Sequence, residues 1–103
     1  MIELLHKILS FRDKRNWKRF HSGMSLSHGL MIEAGELARN FQWNRSPNIE
    51  NLIDEIADCQ IFLMYIAHDN GIDIKKVVEQ KIAKNEIKYP VNGALEKEWG
   101  KCK

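Results

Sequence analysis

The sequence predicts an all-α protein, a bundle of four to five helices in which one antiparallel helical hairpin carries an acidic site. Two observations predict the fold. Apolar residues recur at three- and four-residue steps in four blocks, the period of a helix with a buried face, and no block shows the strict alternation of a half-buried strand. The blocks are separated by strong stop signals: HSG at 21–23, NRSPN at 44–48, NG at 70–71 and YP at 89–90. A chain of 103 residues is expected to form a single domain over 1–103 with one modest core.

The first helix is expected over about residues 2–19. Ile2, Leu5, Ile8 and Leu9 lie on one side, and a basic run, Arg12, Lys14, Arg15, Lys18 and Arg19, follows. Ser25 or Ser27 can cap the second helix, expected from about Ser27 to Trp43 with Leu30, Ala34, Leu37, Ala38 and Phe41 as its core stripe. The third, from about Ile49 to Asn70, contains IADCQIFLMYIA, apolar nearly all the way round. Such a helix must be covered on several sides, and a chain this short has little to cover it with, so an oligomer is expected. Asp73 can cap the fourth helix, which closes at Tyr89-Pro90 because proline does not continue a helix. Val91 to Lys103 is mostly polar and is expected to be a short helix or a frayed tail.

The bulk numbers exclude several classes. A net charge of +2 is too small to argue for nucleic acid as a partner, since duplex binders concentrate a larger basic excess on one face. Glu3, His6 and Lys7 interrupt the opening apolar residues, and no stretch has the length of a membrane span, so a cytoplasmic location is expected. Cys59 falls in a helix expected to be buried and Cys102 is penultimate. Both are expected to be free thiols.

The acids carry the chemistry. Glu33 and Glu36 are three apart in the second helix, as are Glu55 and Asp58 in the third, so each pair projects from one face, flanking its helix's core stripe. In a tight helical hairpin, residues equidistant from the turn share a height. The pairs Glu36/Glu55 and Glu33/Asp58 are both centred midway between Arg45 and Ser46, inside the turn. Four carboxylates then meet at one level, beginning about 14 Å from the turn at ~1.5 Å per residue. Ionised together they repel unless protonated or bridged by cations. All-oxygen donors suit Mg²⁺, with Mn²⁺ as a substitute. A ferritin-like di-iron centre would need a Glu-x-x-His on each of two helices. Position 36 is Glu and position 58 is Asp, so that centre is excluded.

Three segments, RNWKRFH with LMIEAGELARNFQW, then DEIADCQIFL, then KIAKNEIKYP, come in the order and spacing of the MazG-like all-α nucleoside triphosphate pyrophosphohydrolases. The chain resembles in particular their small dCTPase-type branch, from about Arg15 to Pro90. The resemblance implies Mg²⁺-dependent cleavage of a nucleoside triphosphate, dCTP or a modified dNTP, to the monophosphate and pyrophosphate as house-cleaning of the nucleotide pool. It implies metal on Glu33, Glu36, Glu55 and Asp58, with one of Glu33 and Glu36 also orienting or deprotonating the attacking water. It assigns Lys81, Asn85 and Tyr89 of the fourth helix to the phosphates or sugar, and Trp17, His21 and Trp43 to the surroundings of the nucleobase. It also points to a dimer of dimers.

Phe62, one turn past Asp58, stands where that branch often has Tyr, so stacking on a base survives while a hydroxyl contact is missing. Ile8 replaces a histidine that some relatives carry. Trp43 is expected ~10 Å turnward of Glu36 and Phe62 ~6 Å beyond Asp58 in the other direction. One base touches both only if the pocket combines chains. Two competing readings use the same residues: a non-catalytic nucleotide or metal sensor on this scaffold, and an interaction module built on the basic stretch Arg12 to Arg19.

Overall fold

The structure, a computed structural model, describes residues 1–44 and 46–91. Among these residues it is all-helical: α1 (Ile2–Lys14), a single 3₁₀ turn (Lys18–Phe20), α2 (Gly23–Arg39), a second 3₁₀ turn (Gln42–Asn44), α3 (Ile49–Asp69) and α4 (Ile74–Lys88). The residues from Asn92 onward, including Trp99, Cys102 and the expected short helix or tail, lie outside the described residues, as does Arg45.

α1 stops at Lys14, several residues before the expected end. Asn16 takes a left-handed conformation with φ 53°. The Asn16 N–H donates to Asp13 O (3.0 Å) and the Trp17 N–H to Arg12 O (3.1 Å), the paired bonds of a Schellman ending with Asn in glycine's usual place. α2 begins at Gly23, earlier than expected, because Ser22 rather than Ser25 or Ser27 is its cap. The Ser22 hydroxyl accepts from Ser25 N (3.0 Å) and the Ser25 hydroxyl accepts from Ser22 N (2.8 Å), a reciprocal box satisfying two helix-end donors. α2 ends at Arg39, and Trp43 lies beyond it in the second 3₁₀ turn with φ 61°. Asn48 and Asp73 cap α3 and α4 by accepting from Asn51 N and Lys76 N; the sequence anticipates Asp73.

The described residues divide into two compact units, one spanning Met1–Ile72 and a second beginning at Asp73 and containing α4. In the first, α2 and α3 pack along each other and α1 joins α3. Ile8, Leu26, Met64, Tyr65 and Ala67 are its buried hydrophobics. The core is narrower than the expected stripe: Leu30 and Leu37 are half-buried, while Ala34, Ala38 and Phe41 are exposed.

One member of the basic run turns inward, while Lys14, Arg15, Lys18 and Arg19 are exposed. Arg12 is 1% exposed and donates from Nη1 and Nη2 to the two carboxylate oxygens of Asp69, both at 2.9 Å. Its guanidinium lies 4.6 Å from the centre of the Tyr65 ring, and the Tyr65 hydroxyl donates to Ile8 O (3.1 Å). This bidentate pair ties α1 to the C-terminal end of α3.

Candidate metal and nucleotide site

The α2–α3 hairpin has the pairing inferred from its turn. The Asn40 side-chain amide donates to Asn51 Oδ1 (3.0 Å) across the hairpin, and Gly29 faces the ring of Phe62. Both pairs are centred where the acid pairs are, midway between Arg45 and Ser46. The hairpin is therefore in register along its length, with the acids between these two contacts.

Glu33, Glu55 and Asp58 each offer one carboxylate oxygen, and these atoms lie within 4.8 Å of one another. Glu55 is pushed up to about 7, first by a hydrogen bond shared with Glu33, then by burial, then by the charges of Glu33, Asp58 and Glu36. Asp58 is raised by burial and by Glu33 and Asp54. The Cys59 thiol is raised by burial and by the three clustered acids. Glu55 Oε2 is buried with no hydrogen-bond partner among the described residues. A buried carboxylate oxygen without a donor, beside two further carboxylates, fits a divalent cation bound through oxygen.

Glu36 is not drawn into this group. It accepts from Arg39 Nη1 at 3.2 and 3.4 Å and lines a cavity of about 550 Å³ at the turnward end of the hairpin. Asn40, Gln42, Trp43, Asn48 and Asn51 also line this cavity. Trp43 is 84% exposed, so its indole contributes a face to the cavity rather than to the core.

Of the other residues expected in the site, Trp17, His21 and Phe62 belong to the first unit and Lys81, Asn85 and Tyr89 to the second. His21 lies with Nδ1 3.4 Å from Arg12 Nη1 and its ring 5.2 Å from that of Tyr65. Burial and the Arg12 charge push its pKa down, which favours the neutral ring. Trp17 packs edge-on against Phe11, centroids 5.5 Å apart. Phe62 is half-buried against α2. Lys81 and Asn85 fall one turn apart on α4 and Tyr89 caps its C-terminal end, Lys81 exposed and the other two half-buried, with Tyr89 N donating to Asn85 O (2.7 Å).

Sequence reasoning missed Arg12, Asp69, Asn40, Asn51 and Gly29. For the last three a signal existed: Asn40/Asn51 and Gly29/Phe62 share the midpoint of the acid pairs.

An all-α hairpin that gathers three carboxylates beside an open, amide-lined cavity defines a helical protein with a candidate cation site. Residues 29–101 match the MazG-like family, and the chain belongs to that family. It is 33% identical over 92 residues to dCTP pyrophosphatase 1 of Mus musculus, covering 80% of this chain and 54% of the mouse protein. With dCTP pyrophosphatase 1 of Homo sapiens the identity is 30% over the same length and shares. The chain thus spans about half the length of the curated relatives it matches. A pyrophosphatase of known structure from Archaeoglobus fulgidus is 36% identical, with a TM-score of 0.78 over 87% of this chain and 92% of that one.

Proposed function

We propose that the chain is a Mg²⁺-dependent nucleoside triphosphate pyrophosphohydrolase. Its proposed substrate is a (deoxy)nucleoside triphosphate, dCTP or a modified dNTP, cleaved to the monophosphate and pyrophosphate. One observation carries this reading: Glu33, Glu55 and Asp58 converge, with one Glu55 oxygen buried and unpartnered. The named activity of the mouse, human and archaeal relatives supports it.

Glu33, Glu55 and Asp58 would hold the cation, with Glu36 one turn from Glu33 as the fourth acid. When bound, Mg²⁺ supplies positive charge against that developing on the phosphates. Glu36 lines the cavity while Glu33 shares a hydrogen bond with Glu55, which supports Glu36 as the one of the two that would orient a water and take its proton. The exposed indole of Trp43 offers a stacking face for a base, and the Asn40 and Asn51 amides beside it offer polar groups for the base edge or sugar. Lys81, Asn85 and Tyr89 are proposed as substrate contacts on the strength of their motif, and Trp17 and His21 likewise.

The oligomer, proposed as a dimer of dimers, is supported by Met24, Met31, Ile32, Ile53, Ile56 and Leu63, all exposed on α2 and α3. Among the described residues no helix is long and apolar enough to cross a membrane. Cys59 is a free thiol, and the proposed location is the cytoplasm.

The test is a panel of ordinary and modified dNTPs with Mg²⁺, following pyrophosphate against single phosphate. Pyrophosphate release, abolished in folded Glu36→Ala and Asp58→Ala variants, is expected. Release of single phosphate, or full activity in either variant with metal still bound, overturns the assignment.

A further inference from the structure

Gly29 precedes Glu33 by one helical turn on α2, and Phe62 follows Asp58 by one turn on α3. A Cβ placed on Gly29 would meet Phe62 Cε1 and Cζ at 2.5 Å and Cδ1 at 3.2 Å. The ring therefore occupies the space that any other residue at 29 would need for its first side-chain carbon. A phenyl ring is stiff, and Phe62 is half-buried, so it does not fold away as a Met or Lys chain would.

We propose that Gly29 and Phe62 form a positioning pair that sets the α2–α3 separation at the Glu33–Asp58 end of the acidic site, a role that rests on reading those acids as the metal ligands. The other end of the tier is held by the Asn40–Asn51 bond. Carbon atoms in contact sit roughly 3.5–4.0 Å apart, so a methyl group at 29 needs about 1 Å of extra room. If the hairpin opens about its Asn40–Asn51 end, ~16 Å from Gly29 along the helix, the Glu33/Asp58 level ~10 Å away opens by about 0.6 Å. Metal sites tolerate about 0.2 Å in ligand distance, so the displacement is large enough to cost affinity. The like charges of the tier push the helices the same way, and close backbone packing at Gly29 is what the opening would lose.

The test is a double-mutant cycle of Gly29→Ala, Phe62→Leu and the pair, with Mn²⁺ affinity measured by calorimetry in the absence of nucleotide, so that no base contact of Phe62 enters. Gly29→Ala alone is expected to weaken Mn²⁺ by about ten-fold or more, as loss of a supporting residue does. The double variant is expected to bind within about three-fold of Phe62→Leu, because the smaller side chain makes room for the methyl group; coupling of this kind is what the cycle isolates. Additive effects, or native affinity in Gly29→Ala, overturn the pair and show that the ring swings aside.

If Gly29→Ala does not fold, a folded double variant with the Mn²⁺ affinity of Phe62→Leu supports the proposal, and an unfolded one overturns it. If the native chain binds no Mn²⁺, the metal reading fails. The pair is then judged by crystal structures of native and Gly29→Ala protein, where a wider Glu33–Asp58 separation in the variant supports it and an equal one overturns it.

Discussion

α3 gathers charge at two places and treats it in opposite ways. At its C-terminal end Asp69 receives both arms of Arg12 at 2.9 Å, and the guanidinium holds the carboxyl below its usual range. In its N-terminal half Glu55 and Asp58 face Glu33: a hydrogen bond shared with Glu33, then burial and like charge, push Glu55 up to about 7, and burial with like charge raises Asp58. The first arrangement is complete within the chain and stabilises the junction of α1 and α3. The second has no counter-charge among the described residues, and a divalent cation is the component proposed to supply one. Compensated charge here marks architecture, and uncompensated charge marks the proposed site.

The largest effect that separates the two regions is expected from Arg12→Ala. It strands Asp69 and removes the packing on Tyr65, and breaking a buried pair from one side costs about 3 kcal/mol or more, a large share of the stability of a small domain. Urea unfolding at neutral pH should show this loss with Mn²⁺ affinity intact in the folded fraction. Arg12→Leu combined with Asp69→Leu should lose much less, because no charge is left buried. Equal losses in the two proteins would mean that the ion pair is incidental.

Next in size is the pH dependence, where the two regions have opposite signs. Asp69 has a folded pKa below its ordinary value of 3.8. It contributes stability above that value, lost as pH falls through the folded pKa. Glu55 has a folded pKa near 7 against an ordinary 4.5. Its proton-linked contribution is full below 4.5 and is lost as pH rises toward 7. Metal-free protein should therefore lose stability at both ends of an acid-to-neutral titration, and saturating Mg²⁺ should abolish only the loss on the neutral side. Glu55→Gln should flatten the neutral side without metal while weakening Mg²⁺ on the order of ten-fold or more. A native chain whose unfolding midpoint is flat from pH 5 to 8 without metal would remove the like-charge account of the tier.

The contrast also explains what the sequence could disclose. The convergence of Glu33, Glu55 and Asp58 is legible because it is local, with carboxylates at helical spacing placed symmetrically about a Pro-containing turn, but the same spacing also expects Glu36, which accepts from Arg39 instead. A period and a midpoint are enough to find such a convergence, and Asn40–Asn51 and Gly29–Phe62 obey the same arithmetic. Arg12–Asp69 spans 57 positions, and nothing in a basic run says which arginine turns inward. α1 ends earlier than its pattern suggests because Asn16 adopts a left-handed backbone where glycine is the usual signal. The α2 cap was misplaced because Ser22, Ser25 and Ser27 are equivalent until a reciprocal bond selects one pair. The core stripe of α2 came out narrower than its periodicity suggests, since periodicity shows which face is apolar and not how far it is covered.

The smallest expected change tests whether the cavity beside the tier belongs to function or to folding. Trp43 is a bulky residue with φ 61°, a region that costs an L-residue roughly 1–2 kcal/mol, and its indole is almost fully exposed, so little packing offsets that cost. Glycine adopts this backbone without penalty, at some entropic cost through the unfolded chain. Trp43→Gly should therefore leave thermal stability unchanged or raise it by about 1 kcal/mol. If the indole stacks on the base, the same variant should raise KM for the preferred dNTP about ten-fold, the loss of roughly 1–3 kcal/mol of stacking, with Mn²⁺ affinity near native because no carboxylate moves. A fall in stability with unchanged KM would make Trp43 a packing residue and move base recognition elsewhere. A rise in KM at constant stability would show that the strained backbone at residue 43 is retained for the ligand it presents.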